Sequence, residues 1–181
     1  MVIGLAGPKL AGKGTVSDFL VKEHGAVVYH MSGIISDIIS RLHLPKTRAN
    51  LIATITGLRS ELGEDILAQV LKKDIETAGD KLAIIDGIRM PMEVDVFSTL
   101  SDFRLWYIDA PMDVRYSRSL SRGEKEGETE MTLEEFEQEE HAVTETGITA
   151  LATTATAVIM NNGSFADVYA RVTEELGRLH G

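Results

Sequence analysis

Nine residues near the start of the chain, Gly7-Pro8-Lys9-Leu10-Ala11-Gly12-Lys13-Gly14-Thr15, constrain the fold more than any other segment. They follow an apolar run at residues 2–6 and lead into a stretch of helical spacing, so the order is strand, glycine-rich turn, helix. Glycines let such a turn aim several backbone N–H groups inward. The helix N-terminus adds partial positive charge, and Lys13 adds a full one. A polyphosphate is the ligand this arrangement suits, and Gly7, Pro8, Ala11, Gly12, Lys13, Gly14, Thr15 and Val16 are the residues expected to surround it.

Four further apolar runs of strand length, at residues 26–30, 82–86, 105–109 and 157–161, alternate with longer segments of helical period. That alternation predicts an α/β protein with a parallel sheet, and the unbroken apolar character predicts strands covered on both faces. Helical spacing covers residues 14–23, 32–77, 112–122, 132–151 and 164–179, with Pro111 opening the third segment and Thr132 and Glu135 forming a capping box at the fourth. A length of 181 residues, with no internal repeat or dividing linker, predicts one domain over 1–181. Within it, 32–77 is too long for a plain crossover and reads as a helical insertion for an acceptor. The Gly- and Glu-rich stretch inside 119–135 reads as a lid.

Composition removes several classes of function. The net charge of −10 argues against a nucleic-acid polymer as partner, and the absence of Cys excludes disulfides, thiolate metal sites and cysteine nucleophiles. No run reaches membrane-span length and no signal peptide is visible, so a cytoplasmic protein is expected, as monomer or homodimer. His24, His30, His43, His141 and His180 show no paired metal-ligand spacing.

The third strand ends Asp86-Gly87-Ile88-Arg89, putting a carboxylate and a guanidinium at the carboxyl end of a buried strand, where sites of α/β proteins gather. Asp86 suits the water shell of Mg²⁺, with Thr15 as a second oxygen ligand, and Arg89 suits a substrate phosphate. Arg115, Arg118 and Arg122 share one helix face before the lid segment. Arg118 and Arg122 are the pair expected on the phosphates. The last strand runs into Asn161-Asn162-Gly163-Ser164, a tight turn.

The Gly-Lys-Gly-Thr order at 12–15 resembles the adenylate kinase branch of the nucleoside monophosphate kinases, and Asp86-Gly87-Ile88-Arg89 looks like a shortened form of their Asp-Gly-Phe-Pro-Arg signature. The resemblance implies a three-layer α/β/α fold with a five-stranded sheet in the order 2-3-1-4-5. It also implies ATP and Mg²⁺ as cofactors and Lys13, Asp86, Arg118 and Arg122 in catalysis. The ending, a strand, the turn Asn161-Asn162-Gly163-Ser164 and a helix, resembles that of dephospho-coenzyme A kinases and relatives, which implies Asn162 and Gly163 beside the donor's base. Ser32 lies where adenylate kinases carry a Ser-Thr-Gly-Asp motif, although the arginine that follows there is missing here. The segment Leu58-Arg59-Ser60-Glu61-Leu62-Gly63 is similar to one in an archaeal P-loop kinase-like family related to dephospho-coenzyme A kinases. It implies Arg59, with Arg89 and Ser32, as the acceptor-binding set.

The expected activity is transfer of the γ-phosphoryl group of ATP to a nucleoside or deoxynucleoside monophosphate. Dephospho-coenzyme A kinase is the alternative, weakened by the lack of an Asp-Ala-Asp sequence after the second strand. An alternative of another class is a P-loop ATPase or switch protein. The Asn-Lys-x-Asp motif by which GTPases recognise guanine is absent.

Overall fold

A computed structural model describes residues 1–122, 132–140 and 143–180, without the side chains of residues 122, 139–140, 143–146 and 180. Five strands, β1 (Val2–Ala6), β2 (Val27–His30), β3 (Ala83–Ile88), β4 (Phe103–Asp109) and β5 (Ala157–Met160), form one sheet in the order β2-β3-β1-β4-β5. Every neighbouring pair is parallel, so the expected sheet and strand order are the ones found.

Alternation within the strands sends side chains to two separate cores. On one face Ile3, Leu5, Ile84, Trp106, Ile108 and Ile159 meet Val16 and Leu20 of α1 (Lys13–His24) and Val168, Val172 and Leu176 of α9 (Phe165–His180). The other face carries Val2, Ala6, Ala83, Ile85, Leu105 and Tyr107. These pack on α4 (Ile66–Ala78), α5 (Pro91–Phe97) and α8 (Val143–Leu151), completing three layers. The helix α4 therefore serves as the covered crossover between β2 and β3. The helices α2 (Met31–Arg41) and α3 (Arg48–Leu62) gather around a small cluster centred on Ile35, Ile39 and Leu67, with Met31 and Ile34 of α2 also packed on the second core.

The remaining helices are α6 (Met112–Arg122) and α7 (Leu133–Glu140). Ahead of α7, Thr132 and Glu135 form the expected capping box: Glu135 Oε2 accepts from the Thr132 N–H at 2.7 Å, and Thr132 Oγ1 accepts from the Glu135 N–H at 3.3 Å. Donation from the Thr132 N–H, and from its hydroxyl at 2.9 Å, holds the Glu135 carboxyl below its ordinary pKa. The seven-residue helix α5 has no counterpart in the periodicity, being too short for its apolar spacing to register. Its signals are Pro91 at the first helical position and Glu93 two residues on. Residues 123–131 of the expected lid lie outside the described residues.

Registry brings the chemistry-bearing residues to one edge. Asp86 is paired with Leu5 of β1 on one side and with His30, the last residue of β2, on the other. The register then slips so that Ala6 pairs with Ile88, and Gly87 takes a φ of 90°. This bulge turns β3 past Asp86 toward α5.

Candidate active site

The phosphate loop leaves β1 through Gly7, whose φ of 132° and position 2.0 Å (for a notional Cβ) from the Ile108 carbonyl oxygen exclude any side chain. Gly12 closes it at the N-terminus of α1 with a φ of 102°. Ala11 and Val16 are fully buried, and their backbone N–H groups donate to the Pro8 and Gly12 carbonyls, so both residues anchor the loop. Lys13 is folded back on the loop, donating to the Gly7 carbonyl at 2.7 Å and the Pro8 carbonyl at 2.9 Å. An arriving phosphate would compete with those two carbonyls for the ammonium. Lys9 sits 4.4 Å above the ring of Phe136, tying the loop to α7.

A cleft of about 640 Å³ opens on this loop, lined by Gly12, Lys13, Gly14, Thr15, Asp86 and Arg118 among others. A second, of about 480 Å³, has an aliphatic wall from Met31, Ile35, Leu51, Ile55 and Leu67, and its polar end carries His30, Ser32, Arg59, Arg89 and Glu93. Lys13 and Asp86 line both clefts. The sequence-expected residues thus divide into a phosphate-loop group and the Ser32, Arg59 and Arg89 group, joined by one cation and one carboxylate.

Arg118 lines the loop cleft and donates to the Leu10 carbonyl at 3.0 Å, the Ala11 carbonyl at 3.3 Å and the Asn161 backbone oxygen at 2.9 Å. Burial pulls its guanidinium pKa down from the ordinary value. Arg115 is buried and donates to the Ala110 carbonyl at 2.9 Å, which gives it a structural role. The side chain of Arg122 lies outside the described residues. In the turn after β5, Asn162 and Gly163 are exposed and do not line the loop cleft, which takes Asn161 and Phe165 instead. Phe165 is 68% exposed at the cleft wall, its ring stacked on Tyr169 with centroids 6.2 Å apart. Asn161 was readable only as the end of a strand; a buried amide at the carboxyl end of a parallel strand is the signal that marks it.

Glu93 is the other residue that periodicity does not reveal. It is 4% exposed, and its Oε2 accepts from the backbone N–H of Arg89 at 2.8 Å and of Met90 at 3.1 Å. Its Oε1 stands 3.8 Å from Arg59, which is also 3.8 Å from Glu64. One buried carboxylate therefore links both acceptor-side arginines.

Asp86 tests the fit of a divalent cation. Its Oδ1 is buried with no hydrogen-bond partner, and its Oδ2 lies 3.6 Å from His30 Nδ1. An oxygen left without a donor, in a cleft that Thr15 also lines, suits a hard cation that takes its remaining ligands from phosphates and water. Among the described residues no group of three or more His, Cys, Asp or Glu offers a metal cage.

Comparison with known proteins agrees with this geometry. The family model described as "AAA domain" matches residues 6–137. A UPF0200 protein of Methanoculleus marisnigri is 32% identical over 181 residues, spanning 99% of this chain and 97% of the relative. Another from Hyperthermus butylicus is 27% identical over 181 residues, spanning 100% of this chain and 96% of the relative. Among solved structures, TT1252 from Thermus thermophilus superposes with a TM-score of 0.70 at 18% identity, covering 100% of this chain and 98% of that one. Shikimate kinase from Bacteroides thetaiotaomicron gives a TM-score of 0.65 at 14% identity, with 98% of each chain covered. At those identities the two structures speak for the fold. The family model over most of the chain and the 32% identical relative show that this chain belongs to the UPF0200 family and carries the AAA-domain match, and the two solved structures show that its fold is that of P-loop kinases.

Proposed function

We propose that the protein is an ATP-dependent nucleotide kinase that transfers the γ-phosphoryl group of ATP to a nucleoside or deoxynucleoside monophosphate. The observation that carries this reading is the meeting of two unlike clefts at Lys13 and Asp86. One is lined by a glycine-rich loop suited to a triphosphate, with the Phe165 ring available to a base. The other joins an aliphatic wall to two arginines, which suits a phosphorylated acceptor with an apolar body.

In this reaction an acceptor phosphate oxygen bonds to the γ-phosphorus as the bond to the β–γ bridging oxygen breaks, and ADP leaves with that electron pair. The acceptor is already ionised, so no general base is required. Positioning and charge compensation supply the rate. Lys13 neutralises charge where the clefts join. Arg59 and Arg89 hold the acceptor, Glu93 sets their positions, and Ser32 borders the same end. Thr15 and Asp86 would hold Mg²⁺, which when bound shields the charge of the donor phosphates.

A second reading, a hydroxyl acceptor such as dephospho-coenzyme A, draws on one observation. His30 stands on the acceptor side of Asp86 at 3.6 Å, where a hydroxyl proton could be taken up. A coupled ADP-release assay with ATP and Mg²⁺ across the nucleoside monophosphates, their deoxy forms and dephospho-coenzyme A separates the readings, with Lys13→Ala as the blank. Release that needs one nucleotide acceptor and disappears in the blank is the expected result. Release with dephospho-coenzyme A alone selects the second reading. Release independent of every acceptor overturns both in favour of an ATPase or switch. Among the described residues no helix is long and apolar enough to cross a membrane, in keeping with small-molecule partners.

A further inference from the structure

A phosphate loop works by turning its N–H groups toward the ligand, which leaves its carbonyls facing the protein and in need of donors. Here those carbonyls are accounted for by side chains. Lys13 serves Gly7 and Pro8, and Arg118 serves Leu10 and Ala11. The Ala11 carbonyl also receives Asn161 Nδ2 at 2.8 Å. Two donors thus converge on the carbonyl of the peptide that joins Ala11 to Gly12.

That peptide is the one in the loop most able to turn over. Gly12 has a φ of 102° and no Cβ, so rotation of the preceding peptide meets little steric resistance. The described chain has no cis peptide bonds, so this peptide is trans and planar, and its N–H points opposite to its C=O. Holding the Ala11 oxygen on the protein side therefore commits the Gly12 N–H to the cleft side. Asn161 is built for that task. It is 5% exposed, its backbone N–H donates to the Asp109 carbonyl at 2.6 Å, and its Oδ1 accepts from Arg118 Nη2 at 3.2 Å. Its amide nitrogen lies 2.0 Å from where a Cβ on Gly12 would stand, flush against the loop.

We propose that Asn161 is a positioning residue for nucleotide binding: its amide, shared with Arg118, locks the Ala11–Gly12 peptide in the orientation that presents the Gly12 N–H to a phosphate. The inference rests on the loop cleft being a nucleotide site, and it concerns the donor alone, so no acceptor need be known to test it. Asn161→Asp is nearly isosteric and keeps an acceptor for Arg118, but puts an oxygen against the Ala11 carbonyl in place of a donor. Asn161→Ala removes the amide without adding charge and serves if the first variant does not fold.

Two measurements on the full chain decide it. Titration with the fluorescent analogue mant-ADP in Mg²⁺ is expected to show Kd raised about tenfold in either folded variant. Labelling with carbonyl-¹³C alanine and ¹⁵N glycine isolates the three Ala–Gly pairs, Ala6–Gly7, Ala11–Gly12 and Ala78–Gly79. In the wild type ADP should move the Gly12 amide proton downfield as it bonds to phosphate, and in the variants that shift should be lost while Gly79 stays put. A loosened fold would not single out Gly12. Wild-type affinity in both variants, or a Gly12 shift that survives in them, overturns the proposal. A wild type that binds no mant-ADP overturns the nucleotide site itself, a different failure from variants that match a binding wild type.

Discussion

Gly12 and Gly14 flank Lys13 in the same motif, yet alanine at the two positions should act in opposite directions. At Gly12 a methyl group would lie 2.0 Å from Asn161 Nδ2, so the amide must retreat to at least 3.4 Å, the start of ordinary contact. That retreat breaks the 2.8 Å bond to the Ala11 carbonyl and disturbs the two bonds from Arg118 at 2.9 and 3.2 Å. A left-handed backbone adds about 1–2 kcal/mol for a non-glycine residue, and an orphaned buried amide adds about 1–3 kcal/mol, so Gly12→Ala should cost about 2–5 kcal/mol. At this chain length each kcal/mol moves Tm by about 2–4 °C, which predicts a fall of roughly 4–20 °C. Gly14 has nothing within 4 Å of its notional Cβ and lies in the first turn of α1, so Gly14→Ala should be neutral or stabilising by up to about 0.5 kcal/mol. The assay is thermal unfolding followed by far-ultraviolet circular dichroism without nucleotide, so that binding does not enter. A Gly12→Ala variant melting within about 2 °C of wild type, or a Gly14→Ala variant that melts lower than Gly12→Ala, would refute the reasoning.

Three further outcomes can be checked. Glu93→Gln keeps the carboxylate's shape but removes the charge facing Arg59 3.8 Å away and weakens acceptance from the Arg89 and Met90 amides, so urea unfolding should show a loss of about 1–3 kcal/mol; an unchanged midpoint counts against Glu93 as the link. Phe97 is fully buried beneath the sheet, and Phe97→Ala should lower stability by about 3–5 kcal/mol in the same experiment, with a cost below about 1 kcal/mol contradicting its place in the core. Burial and the hydrogen bond to Asp80 push the Tyr29 phenol up from 10.0 to about 12. Because the bonded form is the neutral phenol, its contribution to stability is whole below about pH 10 and is lost as pH rises through about 12. Phenolate absorbance should therefore show one tyrosine ionising late, and that step should move to lower pH in Asp80→Asn; an unmoved titration would sink the assignment.

Periodicity and turn chemistry made the outline of this molecule legible. Unbroken apolar runs such as Ile84-Ile85 have one physical outcome, burial on both faces of a parallel sheet, and the Gly-Lys-Gly-Thr order after a strand has little use other than holding phosphate. The capping box of Thr132 and Glu135 was equally legible, because it is satisfied within four residues. The short helix α5 was not, and with it went Glu93, whose partner Arg59 comes from α3.

The same distinction explains Arg118. Its spacing with Arg115 and Arg122 places it on one helix face, but a cation on a helix can serve a ligand or the protein's own carbonyls, and nothing local decides which. Only the approach of α6, the phosphate loop and the end of β5 gives Arg118 the carbonyls of Leu10, Ala11 and Asn161 as partners. Likewise Asn161 rather than Asn162 faces the loop because the parallel pairing of β5 with β4 sets which residue of the turn points inward. Sequence by itself determined the strands and the loop, since these follow from neighbours in the chain. Tertiary structure decided which polar groups meet across it, since a buried donor takes whichever acceptor the folded packing brings within reach.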